Sequence, residues 1–150
     1  MHSTEADRDM TPVSIEDRFG INDLFVRYMR SIDDGDVDTL VNCFTEDGSL
    51  ESPAVGKYQG HKGIREFAGR FSKFQKNGYQ LRHVISNMQI EVDGNKAKAY
   101  CYLVTYLTYQ KKSQLLAPGY YDCRLRKEKG EWLFEHRLVV QDGDYTLPGI

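Results

Sequence analysis

Residues 80–92, QLRHVISNMQIEV, followed after Asp93-Gly94-Asn95 by residues 96–110, KAKAYCYLVTYLTYQ, decide the fold. Polar and apolar residues here repeat with a period of two. In the second segment Tyr100, Tyr102 and Tyr106 fall on one parity, and Cys101, Leu103, Thr105, Leu107 and Tyr109 on the other. Successive side chains of a strand point to opposite faces, so this period predicts two long strands joined by a tight turn. Two more predicted strands follow, Gly119 to Glu128 and Glu131 to Gln141, joined at Lys129-Gly130. Strands of this length exceed the usual ~5–6 residues, so the sheet has to bend.

Ahead of the strands the period is helical. Ser14 and Asp17 resemble a capping box, and Phe19, Leu24, Phe25, Tyr28, Met29 and Ile32 recur at helical spacing, which predicts a first helix over 15–32. Asp33-Asp34-Gly35-Asp36 ends it, and Asp36 caps a short helix over 37–44 built on Leu40, Val41 and Phe44. Thr45-Glu46-Asp47-Gly48 reads as a turn into a short strand, Ser49 to Ser52. A third helix over 61–76 carries the stripe Ile64, Phe67, Ala68, Phe71 and Phe74. Helices first and a meander of strands afterwards predict an α+β fold, with three N-terminal helices packed on one face of a curved antiparallel sheet around a cone-shaped cavity. The expected organisation is a disordered leader over 1–13, one domain over 14–143 and a C-terminal tail over 144–150.

At 150 residues the chain suffices for one domain with an internal pocket. A net charge of −2 argues against nucleic acid as a partner, because phosphate binding needs a concentrated basic surface. No apolar run approaches the ~18 residues of a membrane span, and the polar, acidic N-terminal stretch does not read as a secretory signal. Cys43, Cys101 and Cys123 are odd in number and lack metal spacing, so they are expected to be reduced core thiols in a cytoplasmic protein. Gly60, Gly63 and Gly69 lack the strand-turn-helix setting of a phosphate loop. No metal site and no cofactor is expected.

The candidate chemistry lies in four residues: Tyr28, Asp33, His83 and Arg137. A carboxylate that orients an imidazole, a phenol that donates a proton and a fixed cation are the parts of proton transfer by side chains alone. Asp33 ends the first helix, where the dipole disfavours a carboxylate by ~0.3–1 kcal/mol, so its placement carries a small cost. If alternation holds, His83 shares a strand face with Ile85 and Asn87, a half-polar face suited to a cavity wall. Tyr28 precedes Asp33 by five residues, ~140° around an ideal helix, and core packing is an equal reading of it. Arg137 reads either as a substrate contact or as a cross-strand partner of Asp122 or Asp142.

The order of elements, with Tyr28-x4-Asp33-Asp34-Gly35-Asp36, Phe44-Thr45-Glu46-Asp47-Gly48, Tyr58-Gln59-Gly60, Arg82-His83, Asn87 and Gly130-Glu131-Trp132, resembles the SnoaL-like branch of the NTF2-like superfamily. Within it the Asp–His pair looks most like the bile-acid 7α-dehydratase and hexachlorocyclohexane dehydrochlorinase families, with scytalone dehydratase among the related enzymes. Carried over, the resemblance implies Asp33, His83 and Arg137 as site residues. Tyr28 matches the dehydratase, whereas the dehydrochlorinase has Lys there. The implied activity is a cofactor-independent, dehydratase-like lyase acting on a hydrophobic small molecule, with Asn87, Tyr58 and Tyr121 as substrate contacts. The alternatives are an isomerase or polyketide-type cyclase in the same pocket, and a non-catalytic ligand-binding or assembly module. The tyrosine-bearing face of the second long strand points to a homodimer or homotrimer.

Overall fold

The computed structural model describes residues 12–148, so all but the last two residues of the expected leader lie outside the described residues. The chain runs α1 (Ile15–Asp34), α2 (Val37–Val41), β1 (Phe44–Ser52), β2 (Gly56–Gln59), α3 (Gly60–Lys76), β3 (Gln80–Asp93), β4 (Lys96–Tyr109), β5 (Lys112–Leu115), β6 (Gly119–Glu128) and β7 (Glu131–Gln141). The sheet order is β2-β1-β7-β6-β4-β3, with β5 paired to β4. Every pairing is antiparallel except β1 with β7, which is parallel. The result is the expected α+β architecture, helices packed on a curved, open sheet.

Local chemistry sets the ends of these elements. Ser14 Oγ accepts the amide of Asp17 at 3.1 Å and caps α1. The Asp17 carboxylate does not complete a capping box. It accepts from Lys127 Nζ at 2.8 Å and Trp132 Nε1 at 3.0 Å, tying the helix start to the β6–β7 hairpin. Gly35, at φ 71°, closes α1, and the next amide, Asp36 N–H, reaches back to the Ser31 carbonyl at 2.8 Å. Asp36 then caps α2 through the Thr39 amide and hydroxyl.

Three sequence expectations are corrected. The second helix stops at Val41 rather than residue 44, because the Cys43 carbonyl is taken by Phe134 N–H of β7 at 2.8 Å, which draws the chain into the sheet. Thr45–Gly48 is consequently not a separate turn but the irregular first half of β1, where the register shifts between Phe44 and Ser49. Alternation along β3 also fails, at a bulge between Ser86 and Gln89 with Asn87 at φ 57°. Before the bulge His83 and Ile85 are the more buried residues; after it Met88, Ile90 and Val92 are.

The core lies between the helices and the concave face of the sheet. Ile21, Leu24, Phe25 and Ile32 of α1 and Ile64, Phe67, Ala68 and Phe71 of α3 pack over Ala99, Cys101, Leu103, Cys123, Leu125 and Phe134. Full burial of a Leu, Ile or Phe side chain contributes roughly 1.5–3 kcal/mol, so this layer supplies most of the stabilisation. A small cavity lies beneath the end of α1, lined there by Tyr28 and Ile32.

Candidate active site

Asp33 and His83 meet where the end of α1 crosses the start of β3. The last turn of α1 places Asp33 against the start of β3, where its Oδ1 lies 2.5 Å from His83 Nδ1 and its Oδ2 accepts the His83 backbone N–H at 3.1 Å. Gln80 Nε2 donates to the Asp33 carbonyl at 2.9 Å, holding the helix end to the same strand. Asp33 is 7% exposed, and both side chains are largely shielded from water. A carboxylate only accepts hydrogen bonds, so Nδ1 carries the proton of this contact and Nε2 is the free nitrogen of the ring.

His83 lines a small cavity of about 40 Å³, while Asp33 stands behind it. The wall is mostly apolar: Ile32, Leu50, Val55, Phe67, Phe71, Leu81, Leu103, Leu116 and Val139. Polar groups enter at Tyr28, Ser52, Thr105, Tyr121, Gln141 and Tyr145. A dry apolar wall with a few convergent polar groups suits a hydrophobic ligand held in one orientation. Larger hollows open at the surface near Lys96 and Glu135 and near Gln114 and Asp144, but His83 lines neither.

The other expected site residues separate into two groups. Tyr28 and Tyr121 are almost fully buried and line the cavity. Burial pushes the Tyr28 phenol up to about 12 and the Tyr121 phenol further, with Arg137 pulling each part of the way back. Both are therefore protonated donors at neutral pH. Tyr58 stands outside the wall: its hydroxyl donates to the Val55 carbonyl at 2.8 Å and accepts from Arg70 at 2.6 Å, and its ring packs on Phe67. Asn87 sits exposed in the β3 bulge, which turns it off the face of His83.

Arg137 pairs with neither Asp122 nor Asp142, nor does it reach the cavity wall. It is 0% exposed and caged by aromatic rings, with Nη1 donating to Cys123 Sγ at 3.4 Å. Sequence reasoning missed Thr105, Gln141, Tyr145 and Leu147. Thr105 was readable as the one aliphatic hydroxyl on the inward parity of β4. Tyr145 and Leu147 of the expected tail over 144–150 line the cavity, and Gln141 Nε2 donates to the Tyr145 hydroxyl at 3.2 Å.

No group of His, Cys, Asp or Glu suited to a metal ion occurs among the described residues, nor does any helix among them have the length and apolarity to cross a membrane.

A SnoaL-like domain profile matches residues 13–138. The chain belongs to the SnoaL-like domain family. Solved structures agree on the fold. A protein of unknown function from Mycobacterium tuberculosis, solved with an Asp-to-Asn substitution, is 29% identical, with 83% of this chain and 71% of that chain covered at a TM-score of 0.75. An NTF2-like protein with a cystatin-like fold from Novosphingobium aromaticivorans is 22% identical, over 87% of this chain and 85% of its own, at 0.76. A candidate scytalone dehydratase from the same organism is 18% identical, over 88% and 89%, at 0.75. No curated protein matches the sequence. In this SnoaL-like chain His83 stands on the cavity wall with Asp33 behind it.

Proposed function

We infer that the protein is a lyase of dehydratase type, acting on a hydrophobic small molecule by acid–base chemistry of its own side chains. The observation that carries this reading is the 2.5 Å contact between Asp33 and His83, made behind a cavity that His83 itself lines. His83, held in one tautomer by Asp33, takes a proton from carbon through Nε2. The C–H electron pair becomes the new double bond, and the hydroxyl on the next carbon leaves. It departs as water after taking a proton from the imidazolium or from Tyr28, which is a donor at neutral pH. Family membership makes enzymatic activity plausible, and the apolar wall accounts for the substrate class.

The test is a screen of hydrophobic hydroxylated compounds read by mass spectrometry. Loss of one water supports dehydration, and a rearranged product of unchanged mass supports the isomerase alternative. Once a substrate is converted, Asp33→Asn and His83→Ala should each slow turnover by about 10²–10⁴-fold, the usual contribution of general acid–base catalysis. Because the pair acts as a unit, the double variant should be little slower than the slower single one. Undiminished turnover by folded His83→Ala would remove His83 as the base, and conversion of none of the screened compounds would favour a binding module.

A further inference from the structure

The buried cation Arg137 stands behind this cavity without lining it. The Arg137 guanidinium carbon lies 3.6 Å from the ring centroid of Tyr121, 3.9 Å from that of Tyr28, 4.5 Å from Phe134 and 5.0 Å from Phe25. Its contact with Cys123 is to a thiol, and its Nε and Nη2 have no hydrogen-bond partner among the described residues. No carboxylate is paired with it among those residues. A guanidinium does not deprotonate in proteins, so a full charge is fixed here in a water-poor setting where electrostatic effects are strong. Two of the four rings that cage it, Tyr28 and Tyr121, also form part of the cavity wall, and Arg137 does not. Those two phenols therefore stand between its charge and a ligand in the cavity.

We propose that Arg137 is a positioning residue that polarises Tyr28 and Tyr121 from behind, making their hydroxyls a paired donor site for a substrate oxygen that turns negative. The substrate class is then a hydrophobic β-hydroxy carbonyl compound, an assignment that rests on the lyase reading of the same cavity. His83 Nε2 takes the proton from the carbon between the carbonyl and the hydroxyl-bearing carbon. The C–H pair becomes the carbon–carbon double bond of an enolate, and the carbonyl π pair moves onto oxygen, against the two phenols. Return of that pair re-forms the carbonyl and a conjugated double bond as the hydroxyl departs with the imidazolium proton as water. Donors aimed at the oxygen where charge develops are among the largest contributors to such reactions.

The probe is para-nitrophenol, whose ionisation is read by absorbance when bound to the full-length protein. The native protein should bind the phenolate more tightly than the phenol, lowering the apparent pKa of the bound probe by about one unit or more, a tenfold change in its ionisation. Tyr28→Phe and Tyr121→Phe remove only the hydroxyls and should each cut the shift, and the double variant should abolish it. Arg137→Gln should abolish it as well, while Arg137→Lys keeps the charge and should restore part of it. A purely structural role for Arg137 would lower the melting temperature of Arg137→Gln and leave the shift of the folded fraction in place, which overturns the proposal. So does a native protein that leaves the probe unbound or unshifted. If His83→Ala alone abolishes the shift, the imidazolium is the anion's partner and the proposal is again wrong. The lyase reading fails separately, through conversion of none of the screened compounds, so the two failures are distinguishable.

Discussion

At the scale of single residues, burial keeps the three thiols and the two cavity phenols of this protein neutral. Burial pushes the Cys101 thiol up to about 11 and that of Cys123 to about 12, and it raises Cys43 as well. The thiolate is the reactive form, so none of the three should be alkylated by iodoacetamide in the native protein at neutral pH, and all three should react after denaturation. Rapid native modification of any of them would contradict the packing. The same shifts fix the sign of an alkaline effect. In the unfolded chain the thiols titrate near 9 and the Tyr28 phenol near 10, whereas in the folded protein Cys101, Cys123 and Tyr28 hold their protons to about 11 or 12. Their contribution is therefore fully present below pH of about 9 and is lost as pH rises through about 11–12. Urea midpoints measured across that window should fall steadily, and a flat profile would argue against it. The thiols' core role was legible in the sequence, because each lies in an apolar pattern. The setting of Arg137 was not, since no periodicity distinguishes a cation caged by rings from one that meets a substrate.

At the scale of elements, what was legible followed from period and punctuation. Both ends of β6 and β7 coincide with the sequence expectation, and their turn uses Lys129 and Gly130 in the left-handed region, as a two-residue hairpin requires. β5 escaped notice for the converse reason: its turn places Gln110 and Lys111 at φ 51° and 65°, residues that carry no turn signal. The β3 bulge was hidden likewise, because only pairing with β4 reveals the extra residue that turns Asn87 outward. Gly119 begins β6 against the end of β7. A Cβ there would overlap the Val140 carbonyl oxygen and lie 2.9 Å from Gln141 Cα, with only backbone to give way. Gly119→Ala should thus cost about 1–3 kcal/mol or more through overpacking, a melting decrease of about 2–4 °C per kcal/mol for a chain of this size. Gly94→Ala is the control: its φ is 59° but nothing lies within 4 Å, so only backbone strain of about 1–2 kcal/mol applies. Equal melting temperatures for the two variants, or a less stable Gly94→Ala, would show that the close approach at Gly119 is not what limits that site.

At the scale of the whole molecule, the sheet has two unlike faces. The concave face holds the core and the cavity, and the convex face presents Val84 and Tyr102, each 51% exposed, and Tyr106, 44% exposed, with Tyr100 stacked on Tyr120 beside them. Val84 faces Val104, and Tyr102 faces Tyr120, across neighbouring strands, so these side chains form one continuous surface rather than scattered positions. Contiguous apolar surface of this kind is unusual on a monomer. We propose that it pairs with a second copy of the chain, the same face on both, because Arg82, Lys98 and Arg124 stand on it with Asp122 and Glu51 and allow self-complementary contacts. Sedimentation of the native protein should show a species at twice 17.3 kDa. Tyr102→Lys combined with Val84→Lys places like charges at the centre of that surface and should shift the protein to the single-chain mass. The cavity lies on the opposite face of the sheet, so the same double variant should keep the para-nitrophenol shift. A native protein that sediments only at the single-chain mass at micromolar concentration would count against pairing, and loss of the probe shift in a folded variant would mean that assembly and cavity are coupled through the sheet.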